Sequence, residues 1–315
     1  MIDTLRLLMS SQLKRSKLNQ KSGGFTLIEL VVAMVLAGLV ITPLFGFMHN
    51  IMDTERKEQA KATSDQEIQS ALDYIAQDLK QAVYIYDAEG LNNISTDTPP
   101  GIKNQIPPVA AAGGCQNTTS TTCVPVLVFW KRELRQDVLP SGDAFVYSLV
   151  GYYLIKGNNG SETWSNAARI GRFQIRDGVR NPTTPTSYIT GEIPNPGFQL
   201  FDLTVTGITL KDKMNRWLKK ANENYTVDAL TLVDFIDQST DGIAPNCPAT
   251  TQQVPSTLAG GFYACVDSSR TWAQIYIRGN ALARIENNST YSANNSSYFP
   301  TVSIQIQGRG LLGFD

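Results

Sequence analysis

An α+β fold, with one long N-terminal helix packed on an antiparallel β-rich head, follows from three features of this 315-residue chain. Phe25 to Ile51 is almost wholly apolar, which gives a membrane-length helix. Asp53 to Ala82 is charged on one side while Ile68, Leu72, Ile75, Leu79 and Val83 recur at helical spacing, so the helix continues as an amphipathic stem. The remainder breaks into short β-branched and aromatic runs separated by Gly, Pro and Asn, the pattern of antiparallel strands.

The first element, residues 1–24, is a leader with Arg6, Lys14, Arg15, Lys17 and Lys21 against Asp3. Its basic excess keeps it cytoplasmic and places the following head outside. A secretory signal carries its small-residue cut after the apolar core, whereas Gly23-Gly24 precede it here. Cleavage after Gly24 therefore leaves the anchor, residues 25–52, on the mature protein.

Glu29 is the one formally charged side chain between Phe25 and Asp53. A carboxylate that deep in hydrocarbon costs about 2.5–3.5 kcal/mol, so it is expected to serve a function and to have a partner. A cut after Gly24 creates that partner, because Phe25 gains an α-amino group four residues from Glu29. A neighbouring copy could pair its cationic end with the carboxylate. Within the anchor, Gly38 permits close helix approach, and Pro43 removes an amide donor and predicts a kink or opened turn. With the stem, residues 53–86, the helix would run for about 90 Å at 1.5 Å per residue.

The segment Lys21-Ser22-Gly23-Gly24-Phe25-Thr26-Leu27-Ile28-Glu29-Leu30 resembles the type IV prepilin family of pilins and pseudopilins. The resemblance implies cleavage by a prepilin peptidase after Gly24, N-methylation of Phe25, and a role for Glu29 in neutralising the N-terminus of an adjacent subunit. It further implies an inner-membrane, single-pass protein with a periplasmic head that enters a filament. Its partners would be the peptidase, other pilin or pseudopilin subunits, an inner-membrane assembly platform and membrane lipid. The alternative from the residues alone is an ordinary signal anchor.

The head, residues 87–315, opens with a polar stretch, Leu91 to Thr122, read as a long surface loop. Strands are expected at 124–130, 145–155, 169–175, 198–205, 230–235, 272–278 and 302–307, with a short helix near 211–221. The segment from Asp73 to Ala82 is similar to the stem of the large minor pseudopilins of the J type and their pilus counterparts. Head size suits a subunit seated at a filament tip. The long leader and the Asn/Thr-rich loops also resemble the cyanobacterial hormogonium polysaccharide secretion pseudopilins. That resemblance implies a subunit that initiates or caps a filament driving secretion, with a polysaccharide cargo among the options, or pilus motility. The rival reading is an adhesin or glycan-binding head displayed on a pilin stem.

Cysteines fall as two close pairs, Cys115 with Cys123 and Cys247 with Cys265. Local pairing into two disulfides needs the least chain closure and suits an oxidising exterior. A four-thiolate metal site is the alternative. Asp234, Asp237 and Asp241 lie in one loop and offer the hard oxygen donors that calcium takes, against a solvated acidic turn as the plain reading. No other cofactor is expected.

The leader holds five of the 27 Lys/Arg and one of the 28 Asp/Glu, so the chain after Gly24 carries 22 against 27, a net −5. That balance argues against a nucleic-acid-gripping surface. The one histidine, His49, belongs to the anchor, so histidine-based triads and metal chemistry in the head are unsupported and no enzymatic activity is expected. Glu133 with Asp137 is the remaining carboxylate pair of note, read as solvated. Gly308 to Gly313 has dinucleotide-binding spacing, but no helix can follow it within the sequence. Lys211, Lys213, Arg216, Lys219 and Lys220 surround Trp217, either as an anionic contact surface or as a basic face with the indole turned inward.

Overall fold

The computed structural model describes residues 24–107, 122–139, 142–157, 163–286 and 290–310. Helix α1 runs from Leu27 to Leu79, 53 residues without interruption, with Pro43 inside it. The chain divides into two units, Met1–Glu55 and Arg56–Asp315, and α1 contributes to both.

In the first unit every described side chain is exposed, including Leu27, Leu36 and Phe47. It contains the part of α1 apolar enough to cross a membrane. The helix continues past Pro43, and the Thr42 hydroxyl donates to the Gly38 carbonyl at 2.7 Å.

In the second unit the stem half of α1 buries Ala60, Ser64, Ile68, Ala71, Leu72, Ile75, Ala76 and Leu79. These recur every three or four residues, so one stripe faces the core. Lys80 and Gln81 close the last turn through bonds to the Ala76 and Asp78 carbonyls. Ala82-Val83-Tyr84-Ile85 then forms β1, in which all four side chains are buried. The helix thus stops four residues short of the expected Val83, because β-branched and aromatic side chains gain more by pairing in the sheet than by extending the helix.

Sheet one has the antiparallel order β1-β2-β3-β4-β5, with β2 Thr122–Leu139, β3 Gly142–Lys156, β4 Ala168–Arg176 and β5 Leu230–Ile236. Sheet two has the order β6-β7-β8-β9, formed by Gln252–Val254, Phe262–Asp267, Trp272–Arg278 and Thr301–Gln307. Two short helices, α2 Ala88–Asn92 and α3 Leu210–Met214, complete the named α elements. Stem and second sheet approach closely at Gly279, where a Cβ would stand 2.8 Å from the Ser64 hydroxyl and 3.3 Å from Ile68.

The run 198–205 is not a strand. Phe198 and Phe201, three residues apart, both turn onto Trp130 with ring centroids at 5.8 and 5.1 Å, a spacing that strand alternation cannot deliver. The predicted loop from Leu91 is partly core: Leu91, Ile102 and Ile106 are buried. The helix expected over 211–221 ends at Met214, after which Trp217 packs inward.

Candidate functional site

The candidate site is the start of α1. Gly24 and Phe25 precede the first helical residue and are exposed, Phe25 by 86%. Thr26 and Glu29 form a reciprocal cap. The Glu29 amide donates to the Thr26 hydroxyl oxygen at 3.3 Å, while the Thr26 amide and hydroxyl both donate to Glu29 Oε2 at 3.1 Å. Two orphan amides of the first turn are satisfied in this way. The Leu30 amide makes the first intrahelical bond, to the Thr26 carbonyl at 3.2 Å. A Thr followed three residues later by Glu is a capping-box signature readable in the sequence, and the local role of Glu29 was missed there.

That geometry lowers the cost of the deep carboxylate, because its charge sits at the positive end of the helix dipole and accepts two donors. It also aims the carboxylate at the chain segment that cleavage after Gly24 would make the terminus. Oε1 has no partner among the described residues and can accept from a second donor.

The head residues singled out by sequence are otherwise occupied. Asp234 accepts from the Ser165 amide and hydroxyl at 2.8 Å. Asp237, fully buried, is ion-paired to Arg278 at 2.5 Å and accepts from Ser239. Burial pushes the Asp237 carboxyl up despite Arg278 and Ser239, which pull the other way. Asp241 uses its carbonyl, which accepts from Arg278 at 2.8 Å. Among the described residues no group of three His, Cys, Asp or Glu is arranged to hold a metal ion. Asp237 and Asp241 share Arg278 while Asp234 turns to Ser165, so the three carboxylates do not converge on one point among the described residues.

Cys247 and Cys265 form a disulfide that ties the loop before β6 to β7. Cys123 is disulfide-bonded, and its predicted partner Cys115 lies outside the described residues. Trp217 is buried and donates to the Gln199 carbonyl at 2.7 Å. Its ring meets Trp130 edge-on at 5.5 Å. Of the surrounding cations, Lys211 pairs with Asp87 and Glu89, and Lys220 with Glu223. The inward-turned indole is therefore the arrangement present. Glu133 pairs with Lys131 at 3.2 Å and accepts from Gln174 at 2.8 Å, and Asp137 lies four residues further along β2. Gly308 and Gly310 bond to the Thr271 and Ala82 carbonyls, and residues 311–313 of that glycine-rich run lie outside the described residues.

A buried ion network joins stem to sheet, and nothing in the sequence pattern announced it. Asp78, on the last turn of α1, receives Lys131 Nζ at 2.9 Å, Arg172 Nε at 2.7 Å and the Tyr152 hydroxyl at 2.6 Å. Burial pushes its carboxyl up, yet Arg172, Lys131 and Tyr152 together hold it below the ordinary value.

No curated protein and no solved structure matches the chain. Residues 19–45 match the family described as the prokaryotic N-terminal methylation motif, a span that includes Gly24, Phe25, Glu29 and most of the anchor. By that motif, set at the start of a helix long and apolar enough to cross a membrane, the chain resembles type IV prepilins at its N-terminus.

Proposed function

We propose that the protein is a minor pilin or pseudopilin, non-enzymatic, cleaved after Gly24, N-methylated at Phe25, and built into an inner-membrane-derived filament. Its role is to initiate or cap that filament, which drives secretion, with polysaccharide among the cargoes considered, or pilus motility. The observation that carries this reading is the exposed Gly24-Phe25 junction beside the Glu29 carboxylate, inside the matched methylation motif. Oε1 would take the methylated amine of a neighbouring Phe25, an ion pair worth most where water is excluded. Within the Arg56–Asp315 unit, the stem residues Ile68, Leu72, Ile75 and Leu79 share one core with the head strands, which supports a pilin-like subunit.

Mass spectrometry of the mature N-terminal peptide from native membranes tests this directly. A terminus at N-methylated Phe25 is expected. A leader retained through Gly24 would defeat the reading and leave a membrane-anchored binding protein.

A further inference from the structure

Strand β2 is longer than the neighbour on its outer side. It runs to Leu139, but β1 pairs with it only as far as Lys131. The Arg132 amide still donates to the Gln81 carbonyl at 3.3 Å. Leu134, two residues on, turns its own amide and carbonyl toward the same side, where β1 has already ended. An edge left unpaired among the described residues is a template for another strand.

A cleft of about 540 Å³ follows that edge, lined by Gln81, the run Lys131 to Arg135, Phe145 and Arg309. Its charge is not balanced from within. Lys131 is satisfied by Asp78 and Glu133, and Arg135 by Glu192 at 2.9 Å. Arg132 makes its contact with the Phe145 ring, 3.9 Å from the centroid, and Arg309 has no ion-pair partner among the described residues. Arg135 Nε is a buried donor without an acceptor. Leu134 and Phe145 stand 44% and 53% exposed beside these cations.

We propose that this slot docks an extended, acidic peptide segment of a partner protein, which adds as a strand to β2 beyond Lys131. Main-chain bonds to Leu134 supply register, Leu134 and Phe145 supply apolar contact, and Arg132 and Arg309 take carboxylates from alternate residues of the incoming strand. A saccharide fits the lining less well. Phe145 is the one aromatic side chain there, and the Arg132 guanidinium already covers a face of it. The site goes beyond the filament reading and does not depend on processing at Phe25.

The test replaces Leu134 by photoreactive p-benzoyl-phenylalanine in the full chain and irradiates native membranes, followed by sequencing of the cross-linked peptide. An adduct to an acidic segment of another chain is expected, with yield reduced about ten-fold or more by Arg132→Glu with Arg309→Glu. Reversal of Arg180, an exposed arginine resting on Tyr188, should leave the yield unchanged. An adduct to this chain's own residues 311–315, to saccharide or to lipid would overturn the proposal. So would the absence of any adduct, or a peptide adduct indifferent to the charge reversals.

Discussion

Replacing Asp78 by alanine should be among the most damaging single changes in the Arg56–Asp315 unit. The carboxylate is 7% exposed and accepts from two cations and a tyrosine hydroxyl, all on strands of sheet one. Its removal leaves Lys131, itself 6% exposed, without its closest partner, and leaves Arg172 with only the neutral acceptors Tyr152 and Gln174. Breaking one side of a buried pair costs about 3–5 kcal/mol, chiefly because the remaining charge stays desolvated. For a head of this size that corresponds to a fall of roughly 6–20 °C in unfolding midpoint. The assay is thermal unfolding of the full-length protein in detergent, followed by tryptophan fluorescence from the buried Trp130. Asp78→Ala paired with Lys131→Met should recover part of the loss, since the second change removes the stranded ammonium. Acid supplies an independent check. The Asp78 carboxyl is held low in the folded state, so its contribution is present above the ordinary carboxylate value near 3.8 and is lost as pH falls below it toward the folded value. A loss of under about 1 kcal/mol on Asp78→Ala, the range of an exposed ion pair, would refute the argument that this network clamps the stem to the sheet.

Glu29→Gln keeps an oxygen that can accept from Thr26, so membrane insertion should persist while filament assembly, read by pelleting of sheared surface material, is lost; wild-type assembly would show the charge to be dispensable. Cys265→Ser opens the bond to Cys247, whose 18-residue separation implies a loss of about 3 kcal/mol, read as a lower unfolding midpoint, and reductant should lower the midpoint at least as far because it also opens the bond at Cys123. Gly242 has φ +68° and lies under Tyr291, where a Cβ would stand 2.3 Å from the ring. Gly242→Ala should therefore cost about 1–3 kcal/mol and disturb the Tyr291 ring stacked on Arg278 at 4.4 Å, a change visible by near-ultraviolet circular dichroism.

Elements with a strong local period were legible before any coordinates. Trp272–Arg278 is a strand over its predicted span, and Ile68, Leu72, Ile75 and Leu79 form the buried stripe of the stem. Weakly patterned segments were not. Gln252–Val254 is too short to alternate, and Phe262–Asp267 is buried at every position, so neither showed a period of two. Phe198 and Phe201 carried strand-like composition but were recruited to cover Trp130. Likewise the aspartates of the 234–241 loop suggested calcium chemistry by type and proximity. Their actual partners, Ser165 for Asp234 and Arg278 for Asp237, come from other parts of the chain.

By itself the sequence determined the methylation-motif match around Gly24 and Phe25, the membrane-length helix and the placement of Glu29. These depend on local order along the chain: basic leader, paired glycines, apolar run, and a carboxylate at a fixed offset. The tertiary structure decided that Asp78 meets Lys131 and Arg172, that Trp217 faces inward, and that β2 outruns β1 to leave an arginine-lined edge. Each of these joins residues far apart in the chain, and the free energy of burying charge or aromatic surface is set by which distant groups arrive to satisfy it.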